Sequence, residues 1–166
     1  MPNFSGEFTV SHVPKQVYDF LVVPYRLVEN LPGLMRYDVQ DQDHFSVTLR
    51  VGVGRVRGPM TMKIEISEKR QGSYARLTAK GSMVKSPISV DGSFNLSEMV
   101  EGTTCVSWVA SVKLGIFLRQ LLGGLLHKII QDNLQQFVQA LELKMMRKKT
   151  SSDFTGDSHD GENKGG

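Results

Sequence analysis

The feature that most constrains the fold of this chain is a single change of hydrophobic period. Up to Leu114 most apolar residues recur at every second position, and beyond Gly115 they recur at helical spacing. A period of two turns one face of each strand to a core and the other to water, whereas a helical period builds an amphipathic helix that needs a surface to cover. The combination predicts a curved antiparallel sheet gripping one terminal helix over an apolar cavity, which suits ligand binding better than catalysis.

The first strand is Phe4, Gly6, Phe8 and Val10 alternating with polar residues. Ser11 and Pro14 then open a helix to about Val23, with Val17, Phe20 and Leu21 on one face. A second short helix from Pro24 to about Asn30 is stopped by Leu31-Pro32-Gly33. The strands that follow have five inward sets: Phe45, Val47, Leu49, Val51 and Val53; Met60, Met62, Ile64 and Ile66; Ala75, Leu77, Ala79 and Met83; Ile88, Val90, Phe94 and Leu96; Val106, Trp108, Ala110, Val112 and Leu114. Turns are expected at Gly58-Pro59, Lys69 to Gly72, Lys85-Ser86-Pro87 and Glu101-Gly102, and connections this short imply an antiparallel meander.

The terminal stripe includes Leu118, Leu121, Leu122, Leu125, Ile129, Leu134, Phe137 and Leu141. A helix from Ile116 to about Lys148 is roughly 50 Å long, more than enough to cross a sheet. Gly123-Gly124 weakens it and marks a bend or a close backbone approach. At 166 residues the chain divides into one domain over 1–149 and a polar tail over 150–166, which is too poor in apolar residues to order itself.

Charge and cysteine usage exclude several classes. The net charge is +3, and Arg50, Arg55, Arg57, Lys63, Arg76 and Lys80 alternate along strands as a solvated face, with no basic cluster interleaved with aromatics to suggest nucleic acid. The single Cys105 rules out an intramolecular disulfide and fits a reducing, cytoplasmic setting. The N-terminus lacks the pattern of a signal peptide, and charged residues interrupt every long apolar run.

Catalytic and metal motifs are missing. Gly52, Gly54 and Gly58 fall between strands with no helix to receive a phosphate. His12, His44, His127 and His159 lie in separate elements, and Asp41, Asp43 and His44 occupy an expected turn, so no metal and no cofactor is expected. Asp91 and Tyr37 are isolated candidates for acid-base work. Met60, Met62 and Met83 on inward faces suit either a pliable pocket wall or ordinary packing. Lys144, Arg147, Lys148 and Lys149 complement the dipole at a helix C-terminus, and they also fit a peripheral contact with anionic lipid.

Phe4-Ser5-Gly6-Glu7-Phe8-Thr9-Val10, Val17 to Leu21, Asn30-Leu31-Pro32-Gly33, Leu49 to Gly54, Gly81, Gly92 and Leu114-Gly115 occur in an order that resembles the START-like and Bet v 1-like (SRPBCC) helix-grip superfamily. Within it the chain is similar to the CoxG family of carbon monoxide dehydrogenase subunits from about Phe4 to Leu143. The resemblance implies an α+β helix-grip fold: seven antiparallel strands wrapped around the C-terminal helix, with an apolar tunnel between. It also implies a non-catalytic accessory role beside a molybdenum-containing carbon monoxide dehydrogenase or related hydroxylase, with quinone or lipid handling and membrane recruitment. Leu31 stands where the family commonly carries a Cys before its Pro-Gly pair, so that position is given no reactive role.

The expected cavity lining is Val47, Leu49, Val51, Met62, Ile64, Leu77, Ala79, Met83, Val90, Phe94, Trp108 and Ala110 from the sheet, with Leu118, Leu122, Leu125 and Ile129 from the helix. Leu31, Pro32, Gly33 and Leu34 form an expected lid. Two other functions share the pattern: a polyketide cyclase or dehydratase-like enzyme, which needs an ionisable group such as Asp91 or His127 in the cavity, and a protein that docks on a larger complex.

Overall fold

The computed structural model describes residues 3–53 and 56–165, with side chains placed for 3–52 and 57–146. Its strands are β1 (Asn3–Val10), β2 (Leu34–Val39), β3 (His44–Val53), β4 (Val56–Arg70), β5 (Tyr74–Met83), β6 (Ser86–Val100) and β7 (Thr103–Leu114). Helices α1 (Pro14–Val22) and α2 (Pro24–Val28) follow β1, and α3 (Ile116–Leu122), a 3-10 turn at Gly123–Leu125 and α4 (Leu126–Gly165) follow β7. The side chains of the polar tail over 150–166, a segment expected from its composition to be disordered, lie outside the described set.

The seven strands form one sheet in the order β1-β7-β6-β5-β4-β3-β2, with every pairing antiparallel. Strands β2 to β7 are the expected meander, and β1 closes onto the last strand from Asn3↔Ser111 to Val10↔Thr104. Because β1 and β2 are opposite edges, α1 and α2 must cross from one edge to the other, and they do so over the concave face. Pro14 and Pro24 each sit in the first helical turn, where a missing N–H costs nothing. Val13, not Ser11, precedes the first helix, and no side chain caps it.

The inward sets share one face because the registers keep them in phase, as in Met62↔Gly81, Ile64↔Ala79, Phe94↔Trp108 and Leu96↔Val106. Gly81 is a steric requirement of that face: a Cβ there would lie 1.8 Å from the Thr61 carbonyl oxygen and 2.8 Å from Met62 Sδ. Two expected turns are displaced. β3 and β4 pair continuously past Gly58-Pro59, where Pro59 lies beyond Met60, the last β4 residue to pair with β5, so its missing N–H breaks no ladder on that side. The β5–β6 turn is at Val84-Lys85, both with positive φ, and Ser86-Pro87 already belong to β6.

Among the described residues, no helix is long and apolar enough to cross a membrane.

Candidate ligand-binding site

The concave face is packed to two different densities. Near α1 and α2, Val17, Phe20, Leu21 and Val28 bury fully against Val10, Phe45, Val47, Ile66, Ala75 and Val106, and Leu141 and Met145 of α4 join them. Further along the strands, Leu49, Val51, Ile64, Leu77, Ala79, Val90 and Trp108 are only partly covered, and Ile129 and Phe137 of α4 stand over them half-buried. The helix is clamped at its Leu141 to Met145 end and stands off the sheet before it.

Part of that gap is a cavity of about 230 Å³. Phe8, Leu77, Phe94, Val106, Trp108 and Ala110 form its sheet wall, Leu21 and Leu27 close one end, and Leu134 and Phe137 cover it from α4. No titratable side chain lines it. The Trp108 indole crosses to β1 and lies over Gly6, where a Cβ would approach its Cζ2 to 3.0 Å. Its Nε1 is buried and has no hydrogen-bond partner. Ligand sites usually have about 300 to 1,000 Å³, so a guest larger than a compact ring system requires α4 to lift further from the sheet.

Of the residues expected from sequence to line the cavity, Leu77, Phe94, Trp108 and Ala110 do so. Val47, Met62, Met83, Leu118 and Leu122 are instead fully buried in packed core. Leu49, Val51, Ile64, Ala79 and Val90 are partly covered on the same face, outside the cavity wall. Leu125 is exposed because the 3-10 turn carries it off the helical stripe. With Ile129 it borders a separate recess of about 360 Å³ between Gly52 and the start of α4. Phe8, Leu21, Leu27, Val106, Leu134 and Phe137 were not among the expected lining, although most of them stand in the apolar stripes of the sequence.

The expected lid is held to β3: Arg50 N donates to the Gly33 carbonyl at 2.7 Å, and Leu34 pairs with Leu49. Gly33 has φ +73, and a Cβ there would lie 2.5 Å from the Arg50 carbonyl oxygen, so glycine is required at this junction.

The candidate acid-base groups lie away from the cavity. Asp91 is on the outer face, where Arg76 Nε and Nη2 donate to its two oxygens at 2.9 and 2.6 Å and hold its carboxyl below the usual range. Tyr37 is exposed in an edge contact with Tyr25, and His127 stacks on Phe4 with ring centres 6.0 Å apart. A broad recess of about 790 Å³ on the outer face includes Asp41, His44, Lys63 and Glu65. Three of its lining groups are paired with each other: His44 Nδ1 is 2.8 Å from Asp41, and Nε2 is 2.9 Å from Glu65. Among the described residues, no group of three or more His, Cys, Asp or Glu is placed to hold a metal ion. Lys144 pairs with Glu29 at 2.9 Å, and Arg147, Lys148 and Lys149 lie outside the described side chains.

The model of the CoxG family of carbon monoxide dehydrogenase subunits matches residues 6–146, spanning both the sheet and the helix that bound the cavity. The chain belongs to the CoxG family. This membership links it to a carbon monoxide dehydrogenase system in an accessory role. Among solved structures, a conserved protein from Geobacillus kaustophilus superposes with a TM-score of 0.71 at 18% identity, covering 84% of this chain and 95% of that one. A protein from Thermus thermophilus gives 0.66 at 16% identity, over 89% and 99% of the two chains. XoxI from Bacillus cereus gives 0.60 at 14% identity, over 85% and 96%. At such identities these show the fold, which is the helix-grip architecture that this CoxG chain shares. No curated protein matches the chain.

Proposed function

We propose that this CoxG chain is a non-catalytic binding protein that holds a small hydrophobic molecule, quinone-like or lipid-like, for a carbon monoxide dehydrogenase-type molybdenum enzyme. The observation that carries the proposal is the cavity between Trp108, Phe94 and Leu77 on the sheet and Leu134 and Phe137 on α4, which contains no titratable group. Burial of apolar surface stabilises a bound molecule by about 25 cal/mol per Å². Aromatic walls add a preference for flat rings. A cyclase or dehydratase needs an acid or base beside the reacting carbon, and the nearest candidates from sequence, Asp91 and His127, are engaged elsewhere.

The test is native mass spectrometry of the protein purified from its own host, followed by extraction and identification of what is bound. One equivalent of a quinone or lipid is the expected result. Leu77→Trp, which fills the cavity from a half-buried position, should retain the fold by circular dichroism and carry at least about tenfold less of that molecule. Equal loading of the variant contradicts the pocket assignment.

A further inference from the structure

Strand β2 is an open edge of the sheet. It pairs with β3 on one side, and among the described residues no strand lies along the other. The opposite edge, β1, is approached by α4, where His127 stacks on Phe4. Gln40 N donates to the His44 carbonyl at 3.0 Å, and the same register continues through Asp38↔Ser46 and Arg36↔Thr48. Backbone groups of alternate residues in an antiparallel ladder point to the same side. Those of Arg36, Asp38 and Gln40 therefore turn to β3, and those of Tyr37 and Val39 turn away from the sheet. Such an edge is a template for another strand.

The side chains along it have a pattern that reads the same from either end. Arg36, Tyr37 and Asp38 are exposed in succession. Arg36 and Asp38 stand on the outer face, opposite charges placed symmetrically about Tyr37. Arg36 has no ion-pair partner among the described residues, and the Asp38 carboxylate accepts from Gln40 Nε2, a neutral donor, at 2.8 Å. On the concave side Tyr37 is 45% exposed, and Tyr25 of α2, which meets it edge-on with ring centres 6.1 Å apart, is 57% exposed.

We propose that β2 pairs antiparallel with β2 of a second copy of this chain, Tyr37 opposite Tyr37, joining two seven-stranded sheets about a two-fold axis. Tyr37 then exchanges both backbone hydrogen bonds with its counterpart. Arg36 falls opposite the second copy's Asp38, and Asp38 opposite its Arg36, at the positions between backbone bonds where facing side chains come closest. The two Tyr25–Tyr37 pairs meet as one aromatic cluster on the concave side. Charge selects this register. Sliding by two residues, the smallest step that keeps the outward groups opposed, removes both Arg–Asp pairs and sets either Arg36 against Arg36 or Asp38 against Asp38. The bulge at Met35 ends the regular stretch and limits further pairing. Because the same strand serves both copies, the assembly closes as a dimer. The inference is independent of what the cavity holds.

The test is sedimentation equilibrium of the full chain over a dilution series. A reversible monomer–dimer equilibrium is expected. Arg36→Asp, which sets two pairs of acids opposite each other, and Asp38→Arg, which sets two pairs of arginines, should each raise the dissociation constant at least about tenfold while the thermal midpoint stays near that of the parent. Mixing the two variants in equal amounts should restore dimers, because each then supplies the charges the other needs, and the double swap Arg36→Asp with Asp38→Arg should restore them in one chain. Tyr37→Pro removes an N–H that faces away from β3 and should abolish dimers with the sheet intact by circular dichroism. The proposal is overturned if the parent is monomeric throughout, if it forms larger open-ended assemblies, if the single variants dimerise as the parent does, or if neither the mixture nor the double swap recovers dimers.

Discussion

His44 shows how a single residue couples this fold to pH. Both ring nitrogens face carboxylates, and the hydrogen bonds that the imidazolium donates, to Asp41 first and Glu65 second, raise its pKa above the ordinary 6.5. A raised folded value means that the stabilisation is complete below the unfolded pKa and is lost as pH climbs through the raised one. Thermal midpoints measured from mildly acidic to mildly alkaline pH should therefore fall across that interval. His44→Gln should flatten the profile, and an unchanged slope in the variant would assign the effect elsewhere. Gly81 tests the opposite property, packing without charge. Gly81→Ala drives a Cβ into the Thr61 carbonyl, which cannot move without disturbing the β4–β5 ladder, and should cost about 3 kcal/mol in denaturant unfolding. A cost below about 1 kcal/mol would show that the sheet yields there.

At the scale of elements, the sequence made much of the architecture readable, and the exceptions have physical causes. Alternation identified the inward face of β3 to β7, because one buried face leaves register little freedom. Pro14 and Pro24 marked two helix starts, and Gly123-Gly124 marked the break between α3 and α4. Gly58-Pro59 misled because proline usually signals a turn, whereas here it sits on a stretch of β4 beyond its pairing with β5. The Val84-Lys85 turn was hidden because neither residue favours positive φ. Alternation also separates inward from outward without saying how far the helix stands off, so Met62 and Met83 read the same as Leu77 although only Leu77 lines the cavity. The glycine break yields its own prediction. A Cβ at Gly124 would meet nothing within 4 Å, so Gly124→Ala should raise stability by up to about 1 kcal/mol through helix propensity. Destabilisation on calorimetry would mean that the 3-10 turn requires glycine.

At the level of the whole molecule, the sheet clamps α4 tightly at one end and leaves an apolar gap beside it. The tight part, where Leu141 and Met145 meet α1 and α2, supplies the stability; the loose part supplies the space. Because Trp108 is the only tryptophan of the chain and forms part of the cavity wall, the protein reports on its own cavity. The most direct measurement is therefore the fluorescence lifetime of Trp108 during titration with a naphthoquinone carrying a short isoprenoid chain. A saturable shortening of the lifetime at one equivalent, absent from the denatured protein, is predicted. A lifetime that does not change, or that falls linearly without saturation as in collisional quenching, would contradict the claim that this cavity binds such a molecule.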